Sequence, residues 1–158
     1  MPSLPTLIAL IPALYLALVA IPLTVIDLRE HRLPNRLVLP AFPIALLAQS
    51  IAVLVGADWV QLILAVSLSL GIFISGVMAN YWDWLGMGDA KLASALGLVL
   101  GFFSPIGSLL AIGLAFVLAF VVVIFQLSKG KAKLGQSIPL GPYLLLSFIC
   151  CLPITVIS

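Results

Sequence analysis

Charge is what this chain has least of: seven Lys or Arg and five Asp or Glu make up 8% of 158 residues. Ordinary soluble domains carry about a quarter charged residues, so this chain cannot cover a water-facing exterior. The net charge of +2 is too small to suggest a nucleic-acid partner. Only two cysteines occur, Cys150 and Cys151, adjacent within an apolar run. Neighbours on a helix point in different directions, so they read as small apolar residues and not as a disulfide. With no Cys-x-x-Cys pair and a single histidine, His31, a metal site has no support and no cofactor is called for. What is present is hydrophobicity: 64% of residues are apolar and the mean hydropathy is +1.35. The expected class is an all-α, polytopic membrane protein forming one membrane-embedded domain over residues 1–158.

A helix needs about 20 apolar residues to cross the hydrocarbon. Leu4–Ile26, Leu37–Val55, Val60–Tyr81, Ile106–Leu127 and Ile138–Ile157 qualify, and Leu92–Phe103 is a shorter sixth run. Gly56-Ala57-Asp58 and Phe103-Ser104-Pro105 read as tight connections. Arg29, Arg32 and Arg36 follow the first run, Lys91 follows the third, and Lys129, Lys131 and Lys133 follow the fifth. All seven cations fall in alternate loops if the short run also crosses. The positive-inside rule then gives six transmembrane helices, three cytoplasmic loops and both termini extracytoplasmic. The first run, with no basic residue before it, reads as a retained anchor and not as a cleaved signal. Small residues recur at four-residue spacing in Ser67, Gly71, Ser75 and Ala79, and again in Ala93, Gly97 and Gly101. Both series are expected to be ridges where helix backbones approach closely.

Two of the five acids stand where apolar runs meet water on the same predicted face. Asp27 opens Asp27-Leu28-Arg29-Glu30-His31-Arg32-Leu33-Pro34-Asn35, and Asp89 lies in Gly86-Met87-Gly88-Asp89-Ala90-Lys91. Two carboxylates brought together at a partly dry interface cannot both ionise easily, and one proton is left shared by the pair. The ionised member can take a proton from water while the protonated member polarises a carbonyl. Gly86 and Gly88 let a substrate chain come close to Asp89. In the first turn of a helix, Asp89 would have its ionised form favoured by the macrodipole. Lys91 is placed to pair with a carboxylate or to mark the membrane border. Asp27 by itself, among arginines at a helix end, also fits a solvated border charge. Asp83, in Tyr81-Trp82-Asp83-Trp84, is the rival carboxylate, beside tryptophans that read as interface anchors. His31 reads as solvated and Asp58 as a loop cap. Asn80, Gln49 and Gln126 stand at or near span ends, where ordinary hydrogen bonding suffices.

Leu33-Pro34-Asn35 after Asp27, then Gly86-Met87-Gly88-Asp89-Ala90-Lys91, then Ile138-Pro139-Leu140-Gly141-Pro142-Tyr143 occur in that order on three successive predicted cytoplasmic segments. Taken together, over essentially the whole chain, they resemble the type IV prepilin peptidase family, among the Gly-x-Gly-Asp aspartyl proteases. The resemblance implies an aspartic endopeptidase that cuts the basic leader from prepilins or pseudopilins. The cut falls at the cytoplasmic face of the inner membrane, after a glycine and ahead of a hydrophobic stem. It implies Asp27 and Asp89 as the catalytic pair. Gly86, Gly88, Lys91, Pro34, Asn35, Pro139, Gly141 and Pro142 would frame the site. Larger members of the family also N-methylate the new terminus and carry an added segment with paired Cys-x-x-Cys motifs. Here only seven residues, Arg29–Asn35, separate Leu28 from Arg36. The chain thus looks like the short, peptidase-only form of tight-adherence (Flp-type) pilus systems. The archaeal preflagellin peptidases are similar on the same motifs. The alternative is a small membrane transporter or a pilus-assembly component without hydrolytic activity. Against transport, no charge lies in the central part of any long run; assembly alone gives no reason for two glycines before Asp89. The implied partners are the prepilin substrate and the lipid bilayer.

Overall fold

A computed structural model describes residues 3–129 and 139–157, and every regular element among them is an α-helix. In chain order they are α1 (Leu4–Ala9), α2 (Ile11–Glu30), α3 (Asn35–Val38), α4 (Ala41–Leu54), α5 (Trp59–Tyr81), α6 (Met87–Gly101), α7 (Pro105–Ser128) and α8 (Gly141–Ile157). Lys131, Lys133 and Ile138, used above in counting loops and spans, lie outside the described residues.

Four stretches are long and apolar enough to cross a membrane: Leu4–Glu30, Asn35–Leu54, Trp59–Tyr81 and Pro105–Gln126. α6 has 15 residues and α8 has 17. At 1.5 Å per residue they rise roughly 22 and 26 Å, less than the roughly 30 Å hydrocarbon core. The first predicted span is divided near Leu10, where Pro12 stands in the opening turn of α2. The second is divided at Leu39-Pro40 between α3 and α4, because a proline supplies no amide hydrogen to continue the ladder. Asp58 caps α5 as expected, its carboxylate accepting the Val60 N–H at 3.0 Å.

The interior is built from small side chains and the exterior from large ones. α2 buries Ala13, Leu16, Ala20, Leu23 and Asp27, at alternating spacings of three and four. α4 buries Ala41, Ala45, Ala48 and Ala52, and α7 buries Ala111, Ala115 and Ala119. Leucines, isoleucines and phenylalanines stand outward on these same helices. In lipid there is little hydrophobic drive between helices, so association depends on close backbone approach and buried hydrogen bonds.

α6 is the hub. Leu92 to Gly101 is buried without interruption, with α5, α7, α8, α4 and α3 packed around it. Its Ala93, Gly97 and Gly101 form the expected close-packed series; a Cβ on Gly101 would stand 3.3 Å from the Ala65 Cα. The matching series on α5 is not the expected one. Ser67, Gly71 and Ser75 are exposed, and the line facing α6 is Ala65, Ser69 and Gly76. Spacing alone reveals a stripe of small residues but not which way it faces. Gly76 lies against Ala90, and Ser69 and Ser94 each donate a hydroxyl to the other's carbonyl at 3.0 and 2.9 Å. These pairs run in opposite order along the two helices, so α5 and α6 are antiparallel. Gln49, expected to serve a span end, is fully buried in mid-helix and donates to the Leu98 carbonyl at 2.9 Å.

This register is testable. A Cβ added to Gly76 would lie 2.6 Å from the Ala90 Cβ and 3.1 Å from its Cα, whereas one on Gly71 would meet nothing within 4 Å. Gly76→Ala is expected to destabilise the purified protein in detergent by about 1–3 kcal/mol. Gly71→Ala should be neutral or slightly stabilising, as alanine favours the helix. Equal effects in an unfolding titration would contradict the register.

Candidate functional site

One end of the bundle gathers the C-terminal ends of α2, α5 and α7 with the N-terminal ends of α3, α6 and α8. Asp27 continues the buried stripe of α2 by one more step, so its side chain points inward and is 3% exposed. The helix continues to Glu30, so Asp27 is not the solvated border charge its arginine neighbours allow. Its Oδ2 accepts the Gly141 N–H at 3.0 Å. That donor is free because Gly141 opens α8, and the first amides of a helix have no carbonyl partner within it. The bond offsets part of the cost of placing a carboxylate at this buried position.

Glycine is required at this contact. A Cβ on residue 141 would lie 2.6 Å from Asp27 Oδ2 and 3.1 Å from Leu33 Cδ2. A Cβ on Gly88 would lie 3.0 Å from the Leu33 Cβ. Leu33 is therefore wedged between the segment preceding Asp89 and the segment that binds Asp27.

Asp89 sits in the first turn of α6, as the sequence suggests. The macrodipole does not keep it ionised, however. Burial, with the Asp27 charge adding to it, pushes its carboxyl up from 3.8 to about 7. Its Oδ1 is buried and has no hydrogen-bond partner among the described residues. Losing hydration without gaining a donor favours the neutral acid.

Both carboxylates line two adjoining cavities. The larger, about 880 Å³, is also lined by His31, Asn80, Asp83, Trp84, Gly86, Pro139 and, from α7, Phe116, Phe120 and Val123. The smaller, about 400 Å³, includes Arg32, Leu33, Asn35, Met87, Gly88 and Lys91. Of the framing residues, Pro34, Gly141 and Pro142 line neither; Pro34 precedes α3 as its cap, and Gly141 and Pro142 are in the first turn of α8. Among the described residues Lys91 pairs with no carboxylate. It donates to Asn35 Oδ1 at 3.0 Å, joining the first motif to the second. Asn80 donates to the Leu85 carbonyl at 2.8 Å, shaping the turn before Gly86. His31 is exposed, in a left-handed conformation at φ 49, yet it faces both cavities and acts electrostatically on Asp27. The α7 wall was invisible in the sequence, because nothing distinguishes its residues from those facing lipid.

A raised carboxyl pKa has a stability consequence. Between 3.8 and about 7 the folded chain holds a proton at Asp89 that the unfolded chain releases. Stability from this group is full at low pH and is lost as pH rises through about 7. The thermal midpoint in detergent should fall over that window, and Asp89→Asn should remove most of the slope. At about pH 8 the variant should melt at least about 2 °C higher than the wild type. A pH dependence unchanged by the substitution would contradict the partial dehydration of Asp89.

The model of the type IV leader peptidase family matches residues 14–156, a stretch holding both aspartates and all three motifs. No curated protein and no solved structure gives a match. The apolar helices make this a multi-pass membrane protein, and the family makes it a peptidase. The chain belongs to the type IV leader peptidase family.

Proposed function

We propose that this peptidase is an aspartic endopeptidase that removes the basic leader of prepilins or pseudopilins at the cytoplasmic face of the inner membrane. The observation that carries this reading is the meeting of buried Asp27 and half-buried Asp89, sixty-two residues apart, on one cavity with unequal surroundings. Asp27, bonded to the Gly141 N–H, is the ionised base. Asp89, held neutral up to about pH 7, is the acid.

In the proposed reaction, Asp27 takes a proton from a water as its oxygen adds to the scissile carbonyl carbon. Asp89 gives its proton to the carbonyl oxygen, leaving a neutral gem-diol. When the C–N bond breaks, Asp27 returns its proton to the departing nitrogen, and Asp89 recovers one from a diol hydroxyl. Each carboxyl ends in its starting state. The scheme assigns no role to a metal or a cofactor.

Topology is part of the same proposal. Six crossings, with α6 and α8 as the short ones, put Arg29, Arg32, Arg36, Lys91 and Lys129 at the site's end of the bundle and both termini at the other. A prepilin whose stem lies in the bilayer would then present its leader junction at that end. Exposed Phe116 and Phe120 line the large cavity from α7, which supports access to the acids from the lipid side.

With a co-expressed prepilin as substrate, Asp27→Asn and Asp89→Asn should each lower cleavage by about 10³-fold or more. Both variants should still accumulate in the membrane. Wild-type cleavage should decline as pH rises through about 7. Gly141→Ala, which displaces the Asp27 carboxylate, should cost about 10²-fold. Full activity in either asparagine variant would remove that residue from the mechanism. The processed pilin should have an unmethylated amino terminus by mass; a methyl group added by this chain alone would refute the peptidase-only assignment.

A further inference from the structure

Asp83 is a third carboxylate on the large cavity, and its position is unfavourable on two counts. α5 ends in a Schellman arrangement: the Asp83 N–H bonds to the Asn80 carbonyl at 3.0 Å and the Trp84 N–H to the Ala79 carbonyl at 2.9 Å. That motif calls for a left-handed residue, usually glycine, yet the chain places aspartate there at φ 57. A negative charge just past a helix C-terminus also opposes the macrodipole. Among the described residues the Asp83 carboxylate has neither an ion pair nor a hydrogen bond to offset these costs.

The two cavities share Asp27, Asp89 and His31, but the nearby Lys and Arg lie on only one of them. Arg32 and Lys91 line the smaller cavity, and Lys91 is held by Asn35. The larger cavity has Asp27, Asp83 and Asp89, with His31 as its sole basic side chain among the described residues. Apart from Asn80, its remaining side chains are apolar or aromatic, including Trp84, Phe116 and Phe120. With Asp27 and Asp89 engaged at the peptide bond, Asp83 is left to receive a cation, and an aromatic neighbour can add to the attraction.

We propose that Asp83 is a specificity-determining residue that receives a Lys or Arg side chain of the substrate's leader in the large cavity. This rests on the leader-peptidase reading above and names the group that orients the leader. It lies outside the acid–base chemistry, so its loss affects binding and spares the chemical step.

The test compares the wild-type chain with Asp83→Asn on two peptides, one with a basic leader and one with those cations replaced by glutamine. Asparagine tolerates the left-handed conformation at least as well as aspartate, so the fold is retained. For the basic peptide, Asp83→Asn should raise KM about tenfold, equivalent to about 1.4 kcal/mol, with kcat within about twofold. The glutamine peptide should show little difference between the two enzymes. Asp83→Lys should prefer a leader bearing glutamate. Equal KM changes on both peptides, or a loss confined to kcat, would overturn the assignment while leaving the peptidase reading intact. If the wild type and Asp27→Asn act alike on both peptides, the peptidase reading itself fails and this inference with it.

Discussion

Two carboxylates partly shielded from water and within electrostatic reach of each other cannot both be charged without a penalty. Here the chain resolves that conflict by giving them different neighbours. A backbone N–H from the start of α8 is directed at Asp27, while Asp89 has a buried oxygen with no donor among the described residues. The pair is thereby made asymmetric before any substrate arrives. In the proposed chemistry that asymmetry separates base from acid.

Holding such a pair in place requires a rigid frame in lipid. Small side chains facing inward bring the helices close, and α6 is enclosed on all sides with Asp89 at its head. Glycine is used at the critical contacts: Gly88 admits Leu33, Gly141 admits both Leu33 and Asp27, and Gly76 admits Ala90. The three motifs have different mechanical roles. One supplies Asp27 and Leu33, the second supplies Asp89 and is tied by Lys91 to Asn35, and the third supplies the N–H that fixes Asp27.

Much of this was legible in the residues. Helical character, the connections at Gly56–Asp58 and Phe103–Pro105, and the first-turn position of Asp89 follow from apolar runs and their punctuation. The burial of Asp27 was also present, in the three-four stripe Ala13, Leu16, Ala20, Leu23, Asp27; the adjacent arginines masked it. Other features were beyond a linear pattern. The α5 stripe at Ser67, Gly71 and Ser75 has the spacing of a packed ridge yet faces outward, since facing is decided by neighbours remote in the chain. The Lys91 to Asn35 bond and the α7 wall of the cavity likewise depend on which helices become adjacent. The balance at Asp89 between dipole and burial depends on how much water the completed bundle excludes.

The central claim, a proton retained at Asp89 beside a charged Asp27, is open to direct observation. Infrared titration of the purified wild type, with Asp89→Asn as the reference, should show one protonated carboxyl band at neutral pH, disappearing as pH rises through about 7 and missing from the variant. A spectrum in which that carboxyl has already ionised near the ordinary value of 3.8 would contradict the account.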